Sequence, residues 1–101
     1  MKPVTKESWW LDTSSFPCLL WARIRVFEDG TAEVFDLDGR YTRFENESDA
    51  RSFLAEDEYD CFSGLDDDER AEVGLPGDLE PPTAASDAEL VPKMVVRTRM
   101  R

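Results

Sequence analysis

The stretch IRVFEDGTAEVFDLDGRYTRF, residues 24–44, decides the fold because it places two Asp-Gly pairs between segments rich in β-branched and aromatic residues. Asp29-Gly30 and Asp38-Gly39 are typical of hairpin turns, in which glycine readily adopts the positive φ that the turn requires. The pattern predicts an α+β fold built on a three-stranded antiparallel meander. The predicted strands cover residues 19–28, 31–37 and 40–45.

The register of these strands follows if both turns close as two-residue loops, and alternation then assigns each side chain to one of two faces. With this register Phe27 lies opposite Ala32, and Ile24 lies opposite Phe35. One face is then mostly apolar and contains Ala22, Ile24, Val26, Phe35, Leu37 and Phe44, interrupted by Glu33. The other face contains Trp21, Arg23, Arg25, Tyr41 and Arg43, together with Phe27, Val34 and Asp36.

One or two short helices are predicted to cover the apolar face. Asn46 is a good N-cap for a helix over residues 47–57, and apolar residues recur within it at helical spacing. Acidic residues after Asp66 and the stop at Gly74 predict a second helix over residues 67–73. The shared core of sheet and first helix should contain Ile24, Phe35, Phe44, Phe53 and Leu54.

The two ends of the chain differ from this domain, which should span residues 1–75. Residues 1–8 are expected to be mobile. Residues 76–92 are rich in Pro, Ala and acids and have no periodicity, which is typical of a linker. Residues 93–101 alternate apolar and basic side chains, so they form either a basic tail or a fourth strand.

The charge distribution favours a basic partner. The net charge is −11; residues 1–90 hold all 23 acids with eight bases, whereas residues 91–101 hold four bases and no acid. Such a chain repels nucleic acid and anionic membranes over most of its surface. No apolar run is long enough for a spanning helix or a secretory signal, so we expect a cytoplasmic protein with free thiols at Cys18 and Cys61. A monomer, or a weak dimer through the C-terminal segment, is expected.

The residue types present disfavour enzyme chemistry. The chain has no histidine, which removes the commonest general base and metal ligand. Asp36, Asp38 and Glu47 have the spacing of calcium-loop positions 1, 3 and 12, but Tyr41 occupies the position where the sharp turn requires glycine. We therefore expect no metal, no cofactor and no catalytic residue.

Residues 45–72 form the most acidic stretch, with twelve acids and two arginines. Such a run is commonly a solvated helical surface, yet this excess is larger than helix capping requires. Binding of a basic protein is therefore the functional interpretation, and paired carboxylates of a hydrolase are a weaker one. The candidate partner-binding residues are Glu56, Asp57, Glu58, Asp60, Asp67, Asp68, Glu69 and Glu72, with Asp66 beside them.

The second candidate site is the arginine face, defined as Trp21, Arg23, Arg25, Tyr41 and Arg43. Aromatic side chains stack on bases and arginine pairs with phosphate, so this set could bind nucleic acid or an acidic peptide. It could equally be a structural face in which Arg23 pairs with Asp36 across strands.

Together these patterns predict a non-catalytic, acidic protein-interaction module of the immunity, antitoxin or adaptor type. The alternative is a role related to nucleic acid, either by mimicry of DNA or by binding through the arginine face and the basic tail. Of these, the acidic surface makes direct binding of nucleic acid the less favoured partner class.

Overall fold

A computed structural model describes residues 3–14, 18–64, 68 and 79–97 of the chain. These residues form an α+β fold with an antiparallel sheet and two short helices, neither of which is long and apolar enough to cross a membrane. In chain order the elements are strands β1 (Val4–Asp12), β2 (Cys18–Phe27), β3 (Ala32–Phe35) and β4 (Tyr41–Phe44), helix α1 (Glu47–Glu56), strand β5 (Tyr59–Cys61), helix α2 (Asp87–Leu90) and strand β6 (Val95–Arg97), with 3-10 turns at Phe62–Gly64 and Val91–Lys93.

The sheet is larger than the three predicted strands. Its order is β4-β3-β2-β1-β5, and β6 also pairs with β2. Leu20 lies opposite Asp12 of β1 and opposite Val95 of β6, so β6 must occupy the edge of β2 that β3 occupies further along. The central strand β2 is therefore held by three other strands.

Both Asp-Gly hairpins close through three-residue loops, not through the predicted two-residue loops. In the first hairpin the Phe27 amide donates to the Thr31 carbonyl over 2.8 Å, and the Gly30 amide donates to the Phe27 carbonyl over 2.9 Å. Gly30 has φ 87° and Gly39, in the second hairpin, has φ 78°. A type I turn followed by a left-handed glycine is the usual geometry of such a loop.

The additional loop residue shifts the register by one position. Ile24 lies opposite Val34, and Arg23 lies opposite Phe35, so the predicted pairing of Ile24 with Phe35 is wrong. A shift of one residue moves every side chain of a strand to the other face. Phe35 therefore lies on the same face as Arg23, and Val34 lies on the face covered by α1.

Each face of the sheet carries its own hydrophobic core. The helix core, beneath α1, contains Trp10, Ala22, Ile24, Ala32, Val34, Ala50 and Leu54. The C-terminal core, on the opposite face, contains Leu11, Leu19, Trp21, Phe35, Phe62, Leu90 and Met94. The predicted core that joined Phe35 to Ile24 and Leu54 is therefore wrong.

Helix α1 begins where the sequence predicts. The Asn46 side chain accepts a hydrogen bond from the Asp49 amide over 2.8 Å, which confirms it as the N-cap. Ala50 and Leu54 are buried, but Phe53 is 37% exposed and packs only at the margin of the helix core, beside Phe44.

The N-terminal segment is part of the sheet, in contrast to the expectation that residues 1–8 are mobile. Strand β1 lies between β2 and β5, and its second half buries Trp10 and Leu11. Its first half is exposed and polar, which explains why the pattern of residues 4–8 indicated a free end. Residues 1 and 2 lie outside the described residues.

The C-terminal segment also packs on the domain. Residues 79–92 were expected to be a linker, but they lead into helix α2 and bury Leu90 in the C-terminal core. The alternative of an added strand agrees with β6, whose Val95–Arg97 pairs with Cys18–Leu20. The predicted helix over residues 67–73 falls outside the described residues apart from Asp68, as do residues 76–78 and 98–101.

Candidate functional site

Residues 79–94, which we call the strap, cover the part of the arginine face around Trp21 and Arg23. Trp21 is fully buried beneath this cover, and its ring makes edge contacts with Phe62 at 4.9 Å and with Trp9 at 6.0 Å between centroids. Trp21 is therefore not available for stacking on a base or a peptide, in contrast to the expectation of an open face.

Arg23 is the centre of a polar network inside this covered face. Its side chain is 2% exposed, and its two terminal nitrogens donate to the two carboxylate oxygens of Asp87 over 2.9 and 3.3 Å. The Tyr41 hydroxyl donates to the same carboxylate, and the guanidinium lies 4.8 Å from the centroid of the Phe35 ring. The ion pair thus joins β2 to the strap, and the alternative pairing of Arg23 with Asp36 is wrong.

The electrostatics of this network favour the ionised carboxylate. The hydrogen bonds from Arg23, aided by that from Tyr41, lower the pKa of Asp87 to about 2 against the opposing effect of burial. The hydrogen bond to Asp87 in turn raises the pKa of Tyr41 above its usual value of 10. Asp87 is therefore charged throughout the physiological pH range and matches the buried charge of Arg23.

The remaining arginines of the face have nearer partners. Arg25 donates through its Nε to Glu7 over 2.8 Å. Arg43 lies 3.8 Å from a Glu33 oxygen, and its guanidinium is 5.1 Å from the centroid of the Phe27 ring. Arg25 is half-buried and Arg43 is exposed, so only the outer part of the arginine face reaches solvent.

One sequence signal could have located the strap. Ser86 and Glu89 have the spacing of a capping box, and the Ser86 hydroxyl accepts a hydrogen bond from the Glu89 amide over 3.2 Å. This cap fixes the first turn of α2 and, with it, the position of Asp87. No local sequence pattern predicts the ion pair between Asp87 and Arg23, because 64 positions separate the two residues.

A second charged region lies at the end of the sheet where α1 ends. The pKa of Tyr59 is raised to about 12, mainly by burial and in addition by the surrounding carboxylates. Those carboxylates come from the end of β1, from the β3–β4 loop and from the end of α1. We call them the acidic pole: Asp12, which is buried and accepts a hydrogen bond from the Ser14 amide, and Asp36, Asp38 and Asp57, to which the exposed neighbours Glu56 and Glu58 are added.

The acids at the end of α1 do not stabilise that helix. A helix C-terminus carries partial negative charge, so it favours lysine or arginine, whereas the last turn of α1 contains no basic residue and is followed by Asp57 and Glu58. Glu58 also has φ 67°, at the position after the helix where glycine is usual. Charge and backbone conformation are therefore both unfavourable for folding here.

The predicted partner-binding acids are only partly described. Glu56, Asp57, Glu58 and Asp60 are exposed, and so is Asp68. Asp66, Asp67, Glu69 and Glu72 lie outside the described residues. Asp12, Asp36 and Asp38 were missing from the predicted set because they are distant from residues 56–60 in sequence and come near Tyr59 only through the sheet.

The calcium-loop candidates Asp36 and Glu47 have partners within the fold. Asp36 accepts hydrogen bonds from the amides of Asp38 and Arg40, and Glu47 pairs with Lys6 at 2.9 Å. Among the described residues, no three His, Cys, Asp or Glu side chains are placed to hold a metal ion. Cys18 and Cys61 are free and half-buried, which confirms the expected thiols.

Comparisons with known proteins add no functional assignment. No protein family, curated protein or solved structure matches this chain.

Proposed function

We propose that the protein is a non-catalytic interaction module whose acidic pole binds a basic protein. The observation that carries the proposal is the placement of Glu56, Asp57 and Glu58 at the C-terminal end of α1. Each acid there opposes the helix dipole by about 0.3–1 kcal/mol. A surface that keeps charges at a cost to its own helix is better explained by binding than by folding.

The charge of the whole chain supports the same partner class. A net charge of −11 attracts basic surfaces by long-range steering and raises the association rate at low salt. The expected partners are proteins with a lysine- or arginine-rich face, and an immunity, antitoxin or adaptor role fits this chemistry. We expect the module to act in the cytoplasm, where its two free thiols stay reduced.

DNA mimicry is the second candidate, because an acidic pole could occupy the DNA site of a basic partner. Direct binding of nucleic acid is opposed by the burial of Trp21 and Arg23. The two candidates share the acidic pole and differ only in the class of partner. Elution of the captured partner by added duplex DNA would favour mimicry.

The test neutralises the acidic pole with Glu56→Gln, Asp57→Asn and Glu58→Gln and measures capture of proteins from native lysate at low and high salt. The matched control makes the same change in net charge with Glu28→Gln, Glu80→Gln and Glu89→Gln, which are exposed and lie outside the pole. A partner that binds the wild type and the control at low salt, but not the pole variant, supports the proposal. Equal capture by all three proteins would contradict it.

A defined probe complements the capture experiment. Titration with decalysine, followed by amide chemical shifts, should perturb residues 56–60 and the β3–β4 loop first. Shifts spread evenly over all exposed acids would show that the pole has no preference for basic ligands.

A further inference from the structure

Two cavities lie along the arginine face, one on each side of Asp87. The larger has a volume of about 870 Å³ and lies between the sheet and the strap, with Trp9, Arg23 and Pro82 in its lining. The smaller, of about 460 Å³, is lined by Tyr41 and Arg43 among others. Both volumes fall in the range of ligand-binding clefts.

Asp87 and Arg25 belong to the lining of both cavities. The Asp87 carboxylate therefore stands at the junction of the two spaces. Among the described residues, Arg25 has a partner for its Nε only, so its terminal nitrogens remain able to donate.

The strap near Asp87 is held mainly by polar contacts. Thr83, Ala84, Ala85 and Ser86 are exposed, whereas Leu90 and Met94 are buried in the C-terminal core and Leu79 packs against it. Asp87 is the acid that matches the buried Arg23, whose Nε has no hydrogen-bond partner among the described residues. Residues 80–89 can thus leave the sheet while Leu79 and residues 90–97 stay in place, provided that another anion reaches Arg23.

We propose that the two cavities form one groove for an acidic peptide segment, in which Asp87 is a built-in ligand that an external carboxylate replaces. The groove is distinct from the acidic pole, and this proposal does not depend on the proposed function. In the closed state the strap blocks its own groove, so the strap acts as an autoinhibitory segment.

An acidic peptide fits this groove better than a nucleic acid does. The ligand already seated on Arg23 is the carboxylate of Asp87, in the first turn of α2, held in the two-point geometry that arginine forms with carboxylates. Arg25 and Arg43 continue the row of guanidinium groups beyond it. A segment with one or two carboxylates also meets less repulsion from a chain of net charge −11 than a polyphosphate does.

The test uses the full chain and a peptide with the sequence of residues 81–89, PPTAASDAE. Asp87→Ala removes the built-in ligand, and Glu89→Ala is the matched control because Glu89 is an exposed acid of the same strap. The Asp87→Ala chain should bind the peptide about tenfold or more tightly than the Glu89→Ala chain, since only the former leaves Arg23 unpaired. The same peptide with asparagine in place of its aspartate should bind neither chain.

A second measurement needs no substitution, in case Asp87→Ala fails to fold. In the wild type the peptide must compete with a tethered strap, whose effective concentration is millimolar, so about 10 mM peptide is required. Amide exchange of residues 80–89 should then accelerate while that of β1–β4 stays constant.

Three results would overturn the proposal. They are a folded Asp87→Ala chain with no preference for the aspartate peptide, strap exchange that does not respond to the peptide in the wild type, and binding of single-stranded oligonucleotide in preference to the peptide.

Discussion

The two faces of the sheet are covered in different ways. On one face, α1 packs Ala50 and Leu54 against apolar strand residues. On the other face, the strap buries Arg23 and neutralises it with Asp87. Apolar burial is tolerant of small rearrangements, whereas a buried charge requires one particular partner. We therefore expect the arginine face, unlike the face covered by α1, to depend on an anionic partner for Arg23.

The largest expected effect on stability comes from removing the Phe35 ring, which lies against the Arg23 guanidinium. Phe35→Ala should lower the free energy of unfolding by about 3–5 kcal/mol, because Phe35 is 1% exposed and supports the guanidinium. Phe53→Ala is the control and should cost about 1 kcal/mol or less, since Phe53 is 37% exposed. Urea unfolding followed by tryptophan fluorescence measures both. Equal losses would mean that Phe35 and Phe53 share one core and that the observed register is wrong.

The second effect tests the ion pair between Arg23 and Asp87. Asp87→Ala should cost about 3 kcal/mol because it leaves Arg23 buried without a counter-charge. The double variant with Arg23→Met should recover most of that loss, since an apolar side chain suits the C-terminal core. If the double variant is no more stable than Asp87→Ala alone, then the ion pair is not what makes the arginine face dependent on the strap.

The third effect is a pH dependence confined to the arginine face. The pKa of Asp87 is lowered from 3.8 to about 2 in the folded protein, so its contribution is complete above pH 4 and is lost as the pH falls toward 2. With allowance for partial solvent screening, that contribution is about 1–2 kcal/mol. Amides of the strap should therefore lose protection between pH 4 and pH 2 before those of α1. Simultaneous loss in both regions would contradict the separation of the two faces.

The smallest effect lies at the acidic pole. Glu58→Gly should stabilise the protein by about 0.5–1 kcal/mol, because glycine adopts the left-handed conformation without steric cost. Glu58→Ala removes the same charge without this relief, so it is the matched control, and thermal unfolding compares the two. Should both variants bind the basic partner more weakly while only the glycine variant is more stable, the acid at this position serves binding at the expense of the helix.

Local signals in the sequence predicted the local structure well. Asn46 gave the start of α1, and the two Asp-Gly pairs gave the positions of the hairpins. The register could not be predicted, because Asp-Gly can also end a three-residue loop and because Val34 and Phe35 are both buried, on opposite faces. With both faces covered, alternation of apolar and polar residues no longer distinguishes one register from the next.

The candidate site was less accessible to sequence reasoning. The members of the arginine face lie on one face of the sheet, on β2 and β4, as the alternation predicts. Their cover was not predicted, because proline, alanine and serine made the strap resemble a linker. The acidic pole combines Asp12, Asp36 and Asp57 from three separate elements. Only the three-dimensional arrangement of the sheet brings those charges together.

The pairing of β2 with β6 has a consequence for the order of folding. Leu20 and Val95 are far apart in the chain, so this contact closes a long loop, whereas the two hairpins close short ones. During synthesis the hairpins and α1 can assemble while the strap is still in the ribosome. Throughout that interval Asp87 cannot reach Arg23, so we expect the nascent chain to present around Arg23 a cationic surface that the strap later covers.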